Sequence, residues 1–165
     1  MTSIDRLDAQ ILAGLTANAR IGIAELAAEL GVSRNTVQQR IRRLEEAEIL
    51  TGFQPIINLS AIGLPVQAVM SLELDQRRMA EVVEGLQSLP EVLEVTIQAG
   101  REDLVVHVAL ASLEALQSLT AAIVGIDGVR KTTSSFSVGT PIPYRLGPLL
   151  DRVTSESGWG RSTPG

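Results

Sequence analysis

Arg34, Arg40, Arg42 and Arg43 fall in a stretch, RNTVQQRIRR, that contains no acid, within a chain whose formal net charge is −5. Asn35, Thr36, Gln38 and Gln39 stand among them. Amides and guanidiniums at this density suit nucleic acid: Asn and Gln pair bidentately with adenine and Arg with guanine, each good pair giving about 1–3 kcal/mol of discrimination. If the stretch is helical, a step of about 100° per residue puts Val37, Ile41 and Leu44 on one side and Asn35, Gln39, Arg42 and Arg43 roughly opposite. One side then packs while the other is presented. The first turns of a recognition helix reach base edges. That assigns Arg34, Asn35, Thr36, Gln38 and Gln39 to base reading, with Ser33 beside them, and places Arg40, Arg42 and Arg43 at phosphates.

A solvated face on an ordinary helix pair also produces a charge run, so the flanking residues decide. Upstream, Ile23, Leu26, Ala27 and Leu30 recur at helical spacing while Glu25 and Glu29 stay wet. Gly31 ends that helix, since it accepts a left-handed turn without a Cβ clash. Ser33 is a natural N-cap for the next one. Still earlier, residues 5–17 carry Leu7, Ile11, Leu12 and Leu15 at helical spacing behind Asp5, a candidate cap. Three helices with a Gly turn, a Ser cap and an acid-free basic face predict a helix-turn-helix that binds double-stranded DNA.

The whole chain sets bounds on this reading. Its 165 residues fit one domain or two small ones, and with aromatics at 2% the cores must be built from Leu, Val, Ile and Ala. The net charge argues against coating nucleic acid non-specifically but permits a local basic face. Cysteine is absent, which excludes disulfides and thiolate metal sites. His107, the single histidine, cannot form a metal cluster alone, so no metal, cofactor or catalytic group is expected. The opening residues, MTSIDRLDAQ, lack a basic-then-apolar signal and no apolar run reaches membrane-spanning length, which predicts a cytoplasmic protein.

After Glu46 the pattern changes. Residues 49–57, with Gly52 and Pro55, suggest a short extended wing or linker strand, and residues 58–63 a connection closed by Gly63. The boundaries expected are therefore 1–63 for the helix-turn-helix and linker, 64–140 for a second domain, and 141–165 for a C-terminal extension, partly disordered because its end is rich in Ser and Gly. Residues 66–74 alternate as a strand with Val66, Ala68, Met70, Leu72 and Leu74 on one face. Next come a helix over 78–89, strands over 92–98 and 104–110, a helix from the Ser112 cap to 126 and a strand over 129–138, giving the order βαββαβ. Leu89-Pro90-Glu91-Val92 and Ile126-Asp127-Gly128-Val129 each close a helix and start a strand, a faint internal repeat. Two such halves make a ferredoxin-like α+β sandwich, a four-stranded antiparallel sheet with both helices on one face. Val69, Val105 and Ala109 then alternate onto the face that the core leaves open, where a homodimer is expected.

Taken together, these motifs resemble the leucine-responsive regulatory protein/AsnC family of transcription factors. The resemblance runs over residues 7–137 and rests on Leu7-Asp8-Ala9-Gln10-Ile11-Leu12, Ala19-Arg20, Glu25-Leu26-Ala27, Gly31-Val32-Ser33-Arg34, Arg40-Ile41-Arg42-Arg43-Leu44-Glu45, the link from Ile49 to Gly52-Phe53, and Gly100 to Asp103. It implies an N-terminal winged helix-turn-helix, a βαββαβ domain that dimerises and assembles further into tetramers or octamers, and a small effector, usually an amino acid, held between such domains. The loop matching the family's Gly-Asp-Tyr-Asp element is Gly100-Arg101-Glu102-Asp103. By the same resemblance its backbone N–H groups hold an α-carboxylate, Asp103 pairs with the ammonium, and Thr133 and Ser135 reach in from a neighbouring subunit. A plain β-turn with a solvated acid is the alternative for that loop. Three positions depart from the family: Glu48 stands for Gly, Phe53 for Tyr, and Arg101 for an acid in the effector loop.

Two other functions compete with an effector-gated regulator. Some haem-pathway decarboxylases resemble the family in both domains and would take a tetrapyrrole, for which His107 and Arg101 are the nearby candidates. A sensing module that no longer binds DNA is the other, and the intact acid-free face of residues 34–43 argues against it. Asp5, Asp8, Glu45, Glu46 and Glu48 read most simply as solvated helix faces, and Trp159 as part of the tail.

Overall fold

The computed structural model describes residues 3–137 and 139–158. They form two compact units, one built from the chain up to Pro55 together with the segment from Ile142 onward, the other from Ile56 to Pro141.

In the first unit α1 spans Arg6–Ala17, α2 Ile23–Leu30 and α3 Arg34–Glu46. Leu7, Ile11, Leu12 and Leu15 of α1, Leu26 and Ala27 of α2, and Val37 and Leu44 of α3 are buried together. The junctions follow the local chemistry. Gly31 takes the left-handed conformation, φ 66°, with its N–H on the carbonyls of Ala27 and Ala28, and so ends α2. Ser33 then caps α3, its Oγ accepting from the Thr36 N–H at 3.1 Å. Asp5 caps α1 and forms a reciprocal box with Asp8, each carboxylate accepting the other residue's backbone N–H, at 3.0 and 2.9 Å.

Two expectations for this unit are corrected. Residues 51–57 form no strand and are exposed; the wing is absent because this stretch finds no neighbouring strand in its own chain to accept its hydrogen bonds. The expected break after Gly63 falls instead at Pro55, and the extension is not a separate third piece. Gly147–Val153 forms α6, with Pro at the start of the helix, and Leu150 joins the core of the first unit while Leu146 packs at its margin. Thr154 is buried behind it and donates its hydroxyl to the Leu150 carbonyl at 2.9 Å. Trp159 and the rest of the Ser- and Gly-rich end lie outside the described residues.

In the second unit β1 (Val66–Leu74), α4 (Met79–Gln87), β2 (Val92–Ile97), β3 (Leu104–Leu110), α5 (Leu113–Val124) and β4 (Val129–Phe136) come in the expected order. The last strand stops two residues before Val138, which lies outside the described residues. The strands pair β2-β3-β1-β4, all antiparallel. Ala68, Met70, Leu72 and Leu74 face a core completed by Val82 and Leu86 of α4 and Leu116, Leu119 and Ile123 of α5, so both helices cover one face of the sheet. The internal repeat is real at atomic level: the Val92 N–H donates to Leu89 O and the Val129 N–H to Ile126 O, each at 3.1 Å. Residues paired across a strand share a face. Ser71 therefore lies in a row with Val105 and Thr133, and Val69 in a row with His107 and Ser135, on the face opposite the helices. Among the described residues no helix is long and apolar enough to cross a membrane.

Because Leu150 is 7% exposed in a core made only of aliphatic side chains, Leu150→Ala is expected to cost the first unit about 2–5 kcal/mol. Thermal unfolding followed by circular dichroism checks this; an unchanged midpoint would mean that α6 adds nothing to the unit.

Candidate nucleic-acid interface and effector loop

The geometry of α3 follows from its two stripes. Val37 and Leu44 are buried and Ile41 is half-buried. On the other side Asn35, Gln38, Gln39 and Arg42, at the i, i+3, i+4, i+7 spacing of one helix face, line a shallow depression of about 200 Å³. All four are exposed, as is Arg34. Ser33 and Thr36 are otherwise engaged: besides the cap, their hydroxyls share a 2.8 Å hydrogen bond. The structure thus gathers three predicted base-reading amides and Arg42, expected at phosphates, into one outward surface and gives the two hydroxyls to the helix start.

Arg40 and Arg43, expected at phosphates, both pair with carboxylates at the start of α1. Arg40 turns back to α1, where its Nη1 pairs with the Asp5 carboxylate and with Asp8 Oδ1 at 3.1 Å. Arg43 Nη2 pairs with Asp8 Oδ2. The Asp8 side chain is 0% exposed, against 12% for Arg40 and 43% for Arg43. Asp5 and Asp8 are therefore interior partners and not a solvated face. The reason is that a carboxylate withdrawn from water needs cations and N–H donors around it, and α3 brings both arginines to it. A signal for this was present: Asp8, Ile11, Leu12 and Leu15 fall at i, i+3, i+4 and i+7, so Asp8 lies on the apolar stripe of α1. Partial burial opposes ionisation of Asp5, and the hydrogen bonds from Arg40 and from the Asp8 N–H outweigh it, holding that carboxyl below its ordinary range. For Arg40 burial likewise opposes the charge, and its bonds to Asp5 and Asp8 outweigh that cost and raise its pKa.

The second candidate site is the loop before β3. Asp103 ties the loop to the end of β1: its Oδ2 accepts the Leu74 N–H at 2.8 Å, its Oδ1 accepts from Gln76 Nε2 at 3.0 Å, and its own N–H reaches Leu72 O at 2.8 Å. The Leu74 N–H, then the Gln76 amide, lower its pKa. The carboxylate expected to meet an ammonium thus also has a structural task, with acceptor capacity to spare on each oxygen. Gly100 and Arg101 are exposed and Glu102 is half-buried. Arg101 is 80% exposed and its Nε lies 3.9 Å from Glu73 Oε1, which also accepts from Lys131 Nζ at 3.0 Å. Thr133 and Ser135 point from the open face of β4, separated from the loop by β1. One chain does not bring the two groups together.

Asp5 and Asp103 both have a folded-state pKa below the ordinary value of about 3.9. Each contributes its full stabilisation above that value, where it is ionised folded or unfolded, and loses it as the pH falls through the lower folded pKa. Thermal midpoints measured from pH 7 to pH 2 are expected to fall most steeply below pH about 4, and Asp103→Asn to flatten the fall in the sheet unit. A parallel decline in the variant would remove Asp103 from this account.

Residues 4–45 match the AsnC-type helix-turn-helix domain and residues 67–146 the Lrp/AsnC ligand binding domain. An HTH-type transcriptional regulator of Methanocaldococcus jannaschii is 33% identical over 146 residues, covering 85% of this chain and 99% of the relative. Regulatory protein AsnC of Escherichia coli is 31% identical over 147 residues, 88% of this chain and 97% of its own. The solved structure of Escherichia coli AsnC superposes with a TM-score of 0.78, covering 89% of this chain and 100% of that one. A Neisseria meningitidis transcriptional regulator solved as an L-methionine complex has the same fold, with a TM-score of 0.80 at 21% identity, covering 89% of this chain and 99% of its own. These relatives are named as regulators and not as enzymes, against the decarboxylase alternative. With an AsnC-type helix-turn-helix followed by a ligand-binding domain, the chain belongs to the Lrp/AsnC family of transcriptional regulators.

Proposed function

We propose that this regulator binds specific double-stranded DNA through α3 and that an amino acid modulates its binding or assembly. The observation that carries the first part is the outward stripe of Asn35, Gln38, Gln39 and Arg42 on a helix anchored by Val37 and Leu44. Amides there match adenine and the guanidinium matches guanine or phosphate, with Arg34 at the helix start. Dimers would present two such helices to successive major grooves, about 34–36 Å apart on a pseudo-palindrome. The open sheet face supports the dimer: Val69 and Val105 sit on it, and beside them Gln67, Leu93, His107 and Ser137 line a depression of about 270 Å³. Further assembly into tetramers or octamers, and action in the cytoplasm, belong to the same reading.

The effector reading rests on the ligand-binding domain match and on the loop Gly100-Arg101-Glu102-Asp103. The neisserial relative was solved with L-methionine, which supports an amino acid as the chemical class. Here Thr133 and Ser135 would approach the loop of a second subunit, since one strand divides them within the chain. Arg101 adds a positive charge beside the zwitterion, favouring an effector whose side chain tolerates or uses it.

Selection of duplexes from a random pool, followed by fluorescence anisotropy, tests the DNA reading. Gln39→Ala is expected to relax base preference at its contact by about 1–3 kcal/mol, whereas Arg42→Ala weakens all sequences. Unchanged selectivity in Gln39→Ala would remove that residue from base reading. Thermal shift against the twenty amino acids tests the effector, with stabilisation expected to follow RT ln(1 + [L]/Kd). Light scattering on the same samples is expected to give a dimer or larger. No response to any amino acid would point to another ligand class, and a monomer throughout would dismiss the sheet-face dimer.

A further inference from the structure

The ionic cluster between α1 and α3 has a role beyond holding two helices together. Four arginines lie on α3, and two of them, Arg40 and Arg43, are matched by the two carboxylates of the α1 cap. The charges balance within the cluster, leaving Arg34 and Arg42 as the α3 arginines with no acidic partner among the described residues. Asp8 is the hinge of this arrangement: its Oδ2 accepts the Asp5 N–H and pairs with Arg43, while its Oδ1 accepts from Arg40. Swinging both arginines out to phosphates would strand a fully buried carboxylate without a cation, a far costlier state than one surface contact repays.

We propose that Asp8 is a positioning residue for DNA binding that withholds Arg40 and Arg43 from the phosphate backbone and fixes the roll of α3. The inference rests on the DNA-binding reading. Its consequence is a regulator whose sequence-independent attraction is held down: α3 neutralises phosphates with Arg34 and Arg42 alone, so the amide stripe weighs more in the choice of site. Phosphate neutralisation is counted by salt. The slope of log Kobs against log [salt] is about −0.9 per phosphate neutralised on B-DNA, and binding to mixed sequence reports this term almost alone.

The test measures binding of the full chain to a mixed-sequence duplex of about thirty base pairs, with KCl varied over the range where affinity changes steeply. Arg42→Gln is expected to flatten the slope by about 0.9 per protomer, and Arg43→Gln to leave it within the error of the wild type. Asp8→Asn, which keeps an acceptor for the Asp5 N–H but releases Arg43 while Asp5 still holds Arg40, is expected to steepen it by about 0.9 per protomer. A loss of stability alone lowers the active fraction and does not steepen the slope. If Asp8→Asn does not fold by circular dichroism, the comparison of Arg42→Gln with Arg43→Gln still decides. Arg43→Gln flattening the slope as much as Arg42→Gln overturns the withheld-arginine inference while leaving DNA binding intact; a wild type without salt-dependent binding overturns both.

Discussion

A carboxylate without access to water has to be answered by charge and by N–H donors, and in the first unit that requirement falls on Asp8. Its demands are met by the Asp5 amide, Arg40 and Arg43. Among the described residues nothing else polar crosses from α1 to α3 in such a buried place. Apolar packing of Val37, Ile41 and Leu44 brings the recognition helix to the core but is tolerant of small rotations, because aliphatic contacts are non-directional. Paired guanidiniums are directional and fix one roll. The orientation of Asn35, Gln38, Gln39 and Arg42 toward solvent is thus tied to a contact made by Arg40 from the far side of the helix and by Arg43 from its flank.

The second unit solves a different problem with equally plain materials. Among the described residues its core contains no aromatic side chain; Leu, Val, Ile, Ala and Met fill the space between sheet and helices. The described aromatics, Phe53, Phe136 and Tyr144, are all exposed. With cores carried by small aliphatics, layer-to-layer registry depends on alternation along the strands, and β1 supplies it across its full length. Asp103 stitches the loop before β3 to the end of β1. A loop assigned to ligand is therefore held to the sheet by one of its own residues, which limits how far it can move on binding.

Much of this is legible in the amino-acid sequence. The bounds of β1 and β3, the Gly31 turn and the Ser33 and Ser112 caps come from period-2 alternation and from side chains that can accept an orphan N–H, both local effects. The features that escape it depend on contacts distant in sequence. Arg40 reads as solvent-facing because charge usually is, although it lies only about 60° around the helix from Val37. Residues 147–153 read as part of a C-terminal extension with no element of its own, although Leu146 and Leu150 carry an i, i+4 signal on either side of Pro148. The wing fails for the opposite reason: residues 49–57 have the composition of a strand, but a strand needs a partner and composition does not provide one.

The return of α6 to α1 makes the helical unit discontinuous, with the whole sheet unit inserted between its two parts. During synthesis the sheet unit has all its strands outside the ribosome before Leu150 emerges. The three N-terminal helices must therefore wait with part of their apolar surface uncovered, and the helical unit acquires its complete core only after the sheet unit has emerged. Order of manufacture, in this chain, lets the inserted sheet unit form before the helical unit that brackets it is complete.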